Sequence, residues 1–190
     1  MELVKPYLNK ILELYLDILG KYDLEELVES LSGIVEHFSQ DISPFALELT
    51  KHLTGLFNRY SKEDLEKMDN DNYQCELQES ACGVIVAIRQ IVEAKLPQPT
   101  LLAMEEYVCN IVAFSLTLDG CDYLTDSMSL LNSYLFHVKT FSPRIWFFYP
   151  TLIYSVMGTP DKERMEIPQL IEHQAAIFNN LHKAFNSENL

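Results

Sequence analysis

Prolines recur along this chain at corresponding points of a repeated helix–turn–helix pattern. Asp23 to Phe38 and Tyr123 to Phe136 each carry one apolar helical stripe. Each is followed, after a few polar residues, by Ser-Pro and a second apolar stretch, from Ser43-Pro44 and from Ser142-Pro143. Between them, Glu79 to Ala94 and Pro99 to Leu118 repeat the order of helix, proline-bearing turn and helix. A two-helix unit of this kind cannot bury its apolar face alone, so neighbours must stack. Stacked repeats act through an extended surface rather than through a pocket holding a few catalytic side chains.

Pro44, Pro99 and Pro143 stand about 44 to 55 residues apart, at or just above the length of HEAT and armadillo units. The expected fold is therefore all-α, a HEAT-repeat superhelix (solenoid) of about three helical hairpins with an unpaired helix at each end. The first helix, over 4–20, places Leu8, Ile11, Leu12, Tyr15, Leu16 and Leu19 on one stripe and ends at Gly20. A hairpin over 23–60 opens with a capping box, Asp23 and Glu26, and runs through Leu24, Leu27, Val28, Leu31, Ile34, Val35 and Phe38. Its second helix starts at Ser43 and Pro44, a hydroxyl for an orphaned amide followed by a residue that has none to satisfy.

An acidic loop over 61–79 follows, where periodicity weakens and carboxylates outnumber lysines. Hairpins over 79–118 and 122–158 come next, with Asp122 a candidate cap, and a terminal helix spans 167–185. Pro150 is expected to kink the last hairpin near the middle of its second helix. The whole of 1–190 reads as one repeat segment.

The 190 residues are 48% hydrophobic, enough for a sizeable core, and carry a net charge of −14. That charge disfavours nucleic acid and anionic membrane surfaces, whose phosphates would be repelled, and favours a basic partner. Cys75, Cys82, Cys109 and Cys121 lack CxxC spacing and read as reduced, mostly buried thiols. Met1 to Lys10 has no continuous apolar run of the signal-peptide kind. Ile145 to Met157 falls short of the ~20 residues of a membrane helix, so no membrane insertion is expected.

The sequence offers little chemistry. It has no glycine-rich phosphate loop, and His37, His52, His137, His173 and His182 show no metal-binding spacing. Asp69-Asn70-Asp71-Asn72 begins like a calcium loop, but Gln74 replaces the turn glycine and Ser80 the bidentate glutamate. No GxSxG elbow is present. The reading is of a non-enzyme without cofactor or metal.

Two features stand out. The acidic stretch Glu63 to Glu79 reads either as a plain linker or as a polyanionic arm for lysine-rich cargo. The cluster Trp146, Phe147, Phe148, Tyr149 and Tyr154 reads either as core or as an exposed edge that accepts apolar side chains.

Asp23 to Tyr60 and Asp122 to Gly158 resemble consecutive HEAT units of the importin-beta (karyopherin-beta) superfamily, in the branch of importins seven and eight. The resemblance lies in the Pro-x-A-x-E-L/M-T-x-H-L segment, matched by Pro44, Ala46, Glu48, Leu49, Thr50, His52 and Leu53. It lies also in Ser-Pro-x-x-Trp with a later internal proline, matched by Ser142, Pro143, Trp146 and Pro150. It implies a nuclear transport receptor that shuttles between nucleus and cytoplasm and takes basic cargo proteins under control of the Ran GTPase. It also implies contacts with phenylalanine-glycine nucleoporins.

On this reading Glu63, Asp64, Glu66, Asp69 and Asp71 are the candidate cargo-binding residues. One alternative is a structural helical-repeat scaffold for protein–protein interaction with no transport role of its own. Another is a compact helical enzyme domain, which would require a deep polar pocket with shifted carboxylates.

Overall fold

The computed structural model describes residues 7–19, 30, 33–35, 37–38, 41–68, 76–140 and 142–148. Among these residues the secondary structure is helical, with no strand. Among the described residues, five helices have defined bounds: α1 (Leu8–Leu19), α2 (Ala46–Lys67), α3 (Glu76–Glu93), α4 (Gln98–Ser115) and α5 (Leu124–Val138). A 3-10 turn, Cys121–Tyr123, leads into α5, and a further helical stretch occupies 143–148.

Each helix is long enough to lay a stripe of buried side chains toward its neighbours. On α3 these are Ala81, Val84, Ile85, Ala87, Ile88, Ile91 and Val92, following the three-and-four spacing of one helical face. Fully covering each of the larger aliphatic side chains contributes about 1.5–3 kcal/mol. On α2 the stripe includes Thr50 and Thr54, whose hydroxyls donate to the carbonyls of Ala46 and Thr50 at 2.8 Å. Those bonds satisfy the buried hydroxyls.

The helices form two layers. α2 packs beside α4, α3 packs beside α5, and the layers meet through α2 against α3 and α4 against α5. Side-chain bonds fix the directions. Early residues of α3 and α5 meet at Cys82 and Asp126, and late ones at Glu93 and Ser133, so these two helices run parallel. Leu101 meets Tyr134 and Ser115 meets Ser127, so α4 and α5 run antiparallel. An up-and-down bundle closes on itself through antiparallel neighbours, whereas parallel helices within a layer are what stacking of like units produces. α1 packs against α2.

Several expectations change in detail. The turn at 94–97, with Pro97 before α4 and Pro99 in its first turn, joins two helices that make little contact along their lengths. The tight pairs are instead α2 with α3 and α4 with α5, one helix out of phase with the proline-marked units. The acidic stretch is not a loop from residue 61: α2 continues to Lys67, and α3 begins at Glu76. Tyr60, Ser61 and Asp64 extend the buried stripe of Phe57 by about two more turns, and the apolar periodicity hides this because two of them are polar.

Ser43 and Pro44 lie in a turn ahead of α2, whose N-cap position is Phe45. Asp122 stands exposed in the 3-10 turn and does not cap α5. The Ser142-Pro143 pair behaves as expected, since the Ser142 hydroxyl accepts the amides of Arg144 at 3.2 Å and Ile145 at 3.3 Å. The capping box at Asp23, the kink at Pro150 and the terminal helix over 167–185 lie outside the described residues.

Candidate binding surface

Because the two layers run in opposite directions, one end of the stack collects the last turns of α2 and α4 with the first turns of α3 and α5. Carboxylates gather there: Glu63 and Glu66 from α2, Glu76 and Glu79 from α3, Asp119 from the turn after α4, and Asp122 and Asp126 at the start of α5. The nearby cations are Lys62, Lys67 and, one turn back, Arg59. At the other end Lys51, Arg89, Lys95, Lys139 and Arg144 stand among Glu48, Glu93 and Glu105. The stack is thus polar, acidic at one end and mixed at the other.

Helix electrostatics separate the acids into two kinds. Glu76 and Glu79 fall in the first turn of α3 and Asp126 in the first turn of α5. There the positive end of the helix dipole favours a carboxylate by about 0.3–1 kcal/mol, so helix stability alone accounts for them. Glu66 sits in the last turn of α2, where the dipole disfavours it, and Glu63 stands just before that turn. Lys62 approaches Glu66 at 3.9 Å, but both side chains are well exposed and such a pair contributes about 0–1 kcal/mol. Helix electrostatics alone therefore do not account for Glu66, nor for Glu93 at the end of α3.

The five sequence-predicted site residues separate accordingly. Glu66 is exposed and Glu63 half-buried. Asp64, on the same turn, points inward and is 1% exposed, accepting a 2.8 Å hydrogen bond from the hydroxyl of Tyr123. It belongs to the core and is not available to a partner. Asp69 and Asp71 lie outside the described residues. The sequence reading missed Asp119, Asp122 and Asp126, because only the layering brings them beside the end of α2; their position at helix starts and turns was the available signal.

Tyr123 is 1% exposed, and its ring packs edge-on to Phe57 with centroids 5.4 Å apart, while Phe114 completes the cluster. Nearby, burial and then Asp126 push the Cys82 thiol up to about 12. Burial does the same to Cys109, also to about 12. Both thiols stay protonated at neutral pH and are poor nucleophiles. Among the described residues no group of three His, Cys, Asp or Glu side chains is placed to hold a metal ion. No helix described is long and apolar enough to cross a membrane.

The aromatic cluster divides too. Phe148 is buried, whereas Trp146 is 40% and Phe147 76% exposed, so this stretch is core on one side and open on the other. Tyr149 and Tyr154 lie outside the described residues.

No protein-family model matches the chain. No solved structure matches it either. Curated proteins do. A probable importin-7 homolog from Dictyostelium discoideum is 23% identical over 150 residues, covering 79% of this chain and 14% of its own length. An importin beta-like SAD2 homolog from Arabidopsis thaliana is 28% identical over 159 residues, with the same two coverages. Importin-8 from Mus musculus is 23% identical over 147 residues, 76% of this chain and 14% of that protein. The chain spans about one-seventh of the length of these relatives. The importin-like residues, the all-helical layering and these relatives agree in likening the chain to a segment of the importin-beta superfamily.

Proposed function

We propose that this segment serves a nuclear transport receptor by presenting an acidic surface to basic protein cargo, in import regulated by the Ran GTPase. The observation that carries the proposal is Glu66 in the last turn of α2, against the helix dipole and beside carboxylates from three other elements. A surface of one sign accelerates encounter with a partner of the other and favours it over acidic competitors. The full receptor would move between cytoplasm and nucleus and touch phenylalanine-glycine nucleoporins. These features are proposed from the kinship with importins.

The test is capture of a lysine-rich domain by the chain at low and at physiological salt, where exposed charges are screened over ~8 Å. Replacing Glu63 and Glu66 by glutamine is expected to weaken capture several-fold at low salt and to flatten its salt dependence. Equal capture by the variant at low salt would remove this surface from the proposal. A second reading is a structural spacer whose only task is to continue the stack. It is favoured by Glu76, Glu79 and Asp126, which helix stability alone explains, and it predicts that the same variant is silent in every binding assay.

A further inference from the structure

Lys139, Thr140 and Ser142 lie outside any helix, between α5 and the helical stretch that Pro143 begins. Lys139, Thr140, Pro143 and Arg144 are exposed. A proline keeps the residue before it extended, the backbone shape in which a serine can be drawn into an enzyme cleft. Ser43 and Pro44 share the dipeptide but not the setting. Ile42 beside them is 0% exposed, and the amide of Phe45 donates to the Ile42 carbonyl at 2.8 Å, closing a turn around the pair. Presenting Ser43 would require drawing Ile42 out of the core.

The Ser142 hydroxyl also has a partner that added charge would disturb. It donates to Glu105 of α4 at 2.6 Å and so fastens the start of the 143–148 helix to α4. A phosphate on that oxygen carries a charge of about −1.5 to −2 at neutral pH and offers the carboxylate acceptor oxygens where it had a donor. Arg144 and Glu105 are both within electrostatic reach of the Cys109 thiol, so the two bear on the same stretch of α4. The phosphate would repel Glu105 and recruit Arg144, and both changes release the 143–148 helix from α4. Full charges a few ångström apart outweigh the partial charge of a helix start, which would favour the phosphate in place.

We propose that Ser142 is a phosphorylation site for a proline-directed serine/threonine kinase, and that phosphorylation detaches the 143–148 helix from Glu105 of α4. The Ser142 oxygen bonds to the γ-phosphorus of ATP, the bond from that phosphorus to the ADP oxygen breaks, and the hydroxyl proton passes to the kinase's catalytic base. The inference rests on Ser142 and its surroundings and does not depend on what the acidic end binds.

The test is incubation of the whole chain with MgATP and a purified mitogen-activated protein kinase, followed by mass spectrometry of tryptic peptides. Cleavage after Lys139 and Arg144 isolates residues 140–144, and Ser142→Ala separates phosphate on Ser142 from phosphate on Thr140. Ser142 is expected to be modified many-fold faster than Ser43. The single tryptophan, Trp146, whose amide donates to the Ser142 carbonyl at 3.2 Å, reports on the same helix. Phosphorylation is expected to shift its emission a few nanometres to longer wavelength and to increase quenching by acrylamide. Ser142→Ala treated alike should keep its emission, so phosphate at another Ser/Thr-Pro pair such as Thr159-Pro160 is not mistaken for it. In Glu105→Gln, whose amide can donate to the phosphate, the shift should be largely lost. A 140–144 peptide without phosphate on Ser142, or Ser43 modified as fast, would overturn the site. Unchanged Trp146 emission on phosphorylation, or an equal shift in Ser142→Ala or Glu105→Gln, would overturn the detachment from Glu105.

Discussion

Gly120 passes so close to the backbone of Phe114 that a β-carbon added to it would lie 2.3 Å from the Phe114 carbonyl oxygen. That approach lets the chain turn from α4 into the 3-10 turn that places Tyr123 under α2. The atom met is backbone, so the turn itself would have to shift. Gly120→Ala is expected to lower stability by about 1–3 kcal/mol, the usual cost of overpacking, in urea denaturation. Gly55, exposed on α2 with nothing within 4 Å of the same added carbon, is the control. Gly55→Ala should stabilise by about 0.5–1 kcal/mol through helix propensity. Equal effects at the two positions would show that the turn after α4 adapts freely.

Two Ser-Pro pairs with the same sequence signature give opposite expectations. The Ser142 hydroxyl accepts two amides at the start of the 143–148 helix and donates to Glu105 of α4 at 2.6 Å. Ser142→Ala is expected to cost about 0.5–2 kcal/mol, the range of lost N-caps. Ser43 precedes a turn and not the helix itself, and Ser43→Ala should stay within about 0.5 kcal/mol of the native chain. Thermal denaturation of the two variants side by side decides the matter, and a cost at Ser43 equal to that at Ser142 would contradict the placement of α2.

What could be read from the residues follows from how each signal arises. Apolar periodicity located α3, α4 and α5, because Ile85, Ile88 and Ile91, or Met128, Leu131 and Leu135, are placed by spacing alone. It lost the end of α2, because Ser61 and Asp64 occupy buried positions that hydropathy scores as surface. Asp64 could not be told from Glu63 or Glu66 without its partner, and Tyr123 lies 59 residues away. The acidic end was invisible for a related reason. Its carboxylates are local to four separate elements, and only the opposed layers bring them together. The helix pairing was out of phase because short turns suggest partners, whereas Pro97 and Pro99 here join helices that diverge.

Lys139 ends α5 in the left-handed conformation, with φ of 55°, its amide bonded to the carbonyl of Leu135 at 3.2 Å. This is the position after a helix at which glycine is favoured, since a β-carbon is strained there. Lys139→Gly is expected to be neutral or to raise stability, by up to about 1 kcal/mol, despite the greater chain entropy of glycine. Lys139→Val, with a branched β-carbon in the same conformation, should lower stability by about 1–2 kcal/mol. A valine as well tolerated as glycine in urea denaturation would mean that the end of α5 is not held in this conformation.

Alkaline pH should unfold the chain through its buried acids of high pKa. The thiols of Cys82 and Cys109 are raised from 9.0 to about 12, chiefly by burial, and the Tyr134 phenol, which donates to the Leu101 carbonyl at 3.0 Å, is also raised by burial. The folded chain therefore keeps protons that the unfolded chain releases, and the slope of stability against pH is negative wherever the native state binds more protons. Stability is full below the ordinary thiol value of 9.0 and declines as pH rises toward 12. Each group contributes at most about 1.4 kcal/mol per pH unit. The melting temperature should accordingly hold steady between about pH 7 and pH 8.5 and fall from there upward. Cys109→Ala removes one titrating group, so its melting temperature should fall less steeply across that range even if its starting value is lower. A decline of the same slope in both chains would show that this thiol is not among the groups driving alkaline unfolding.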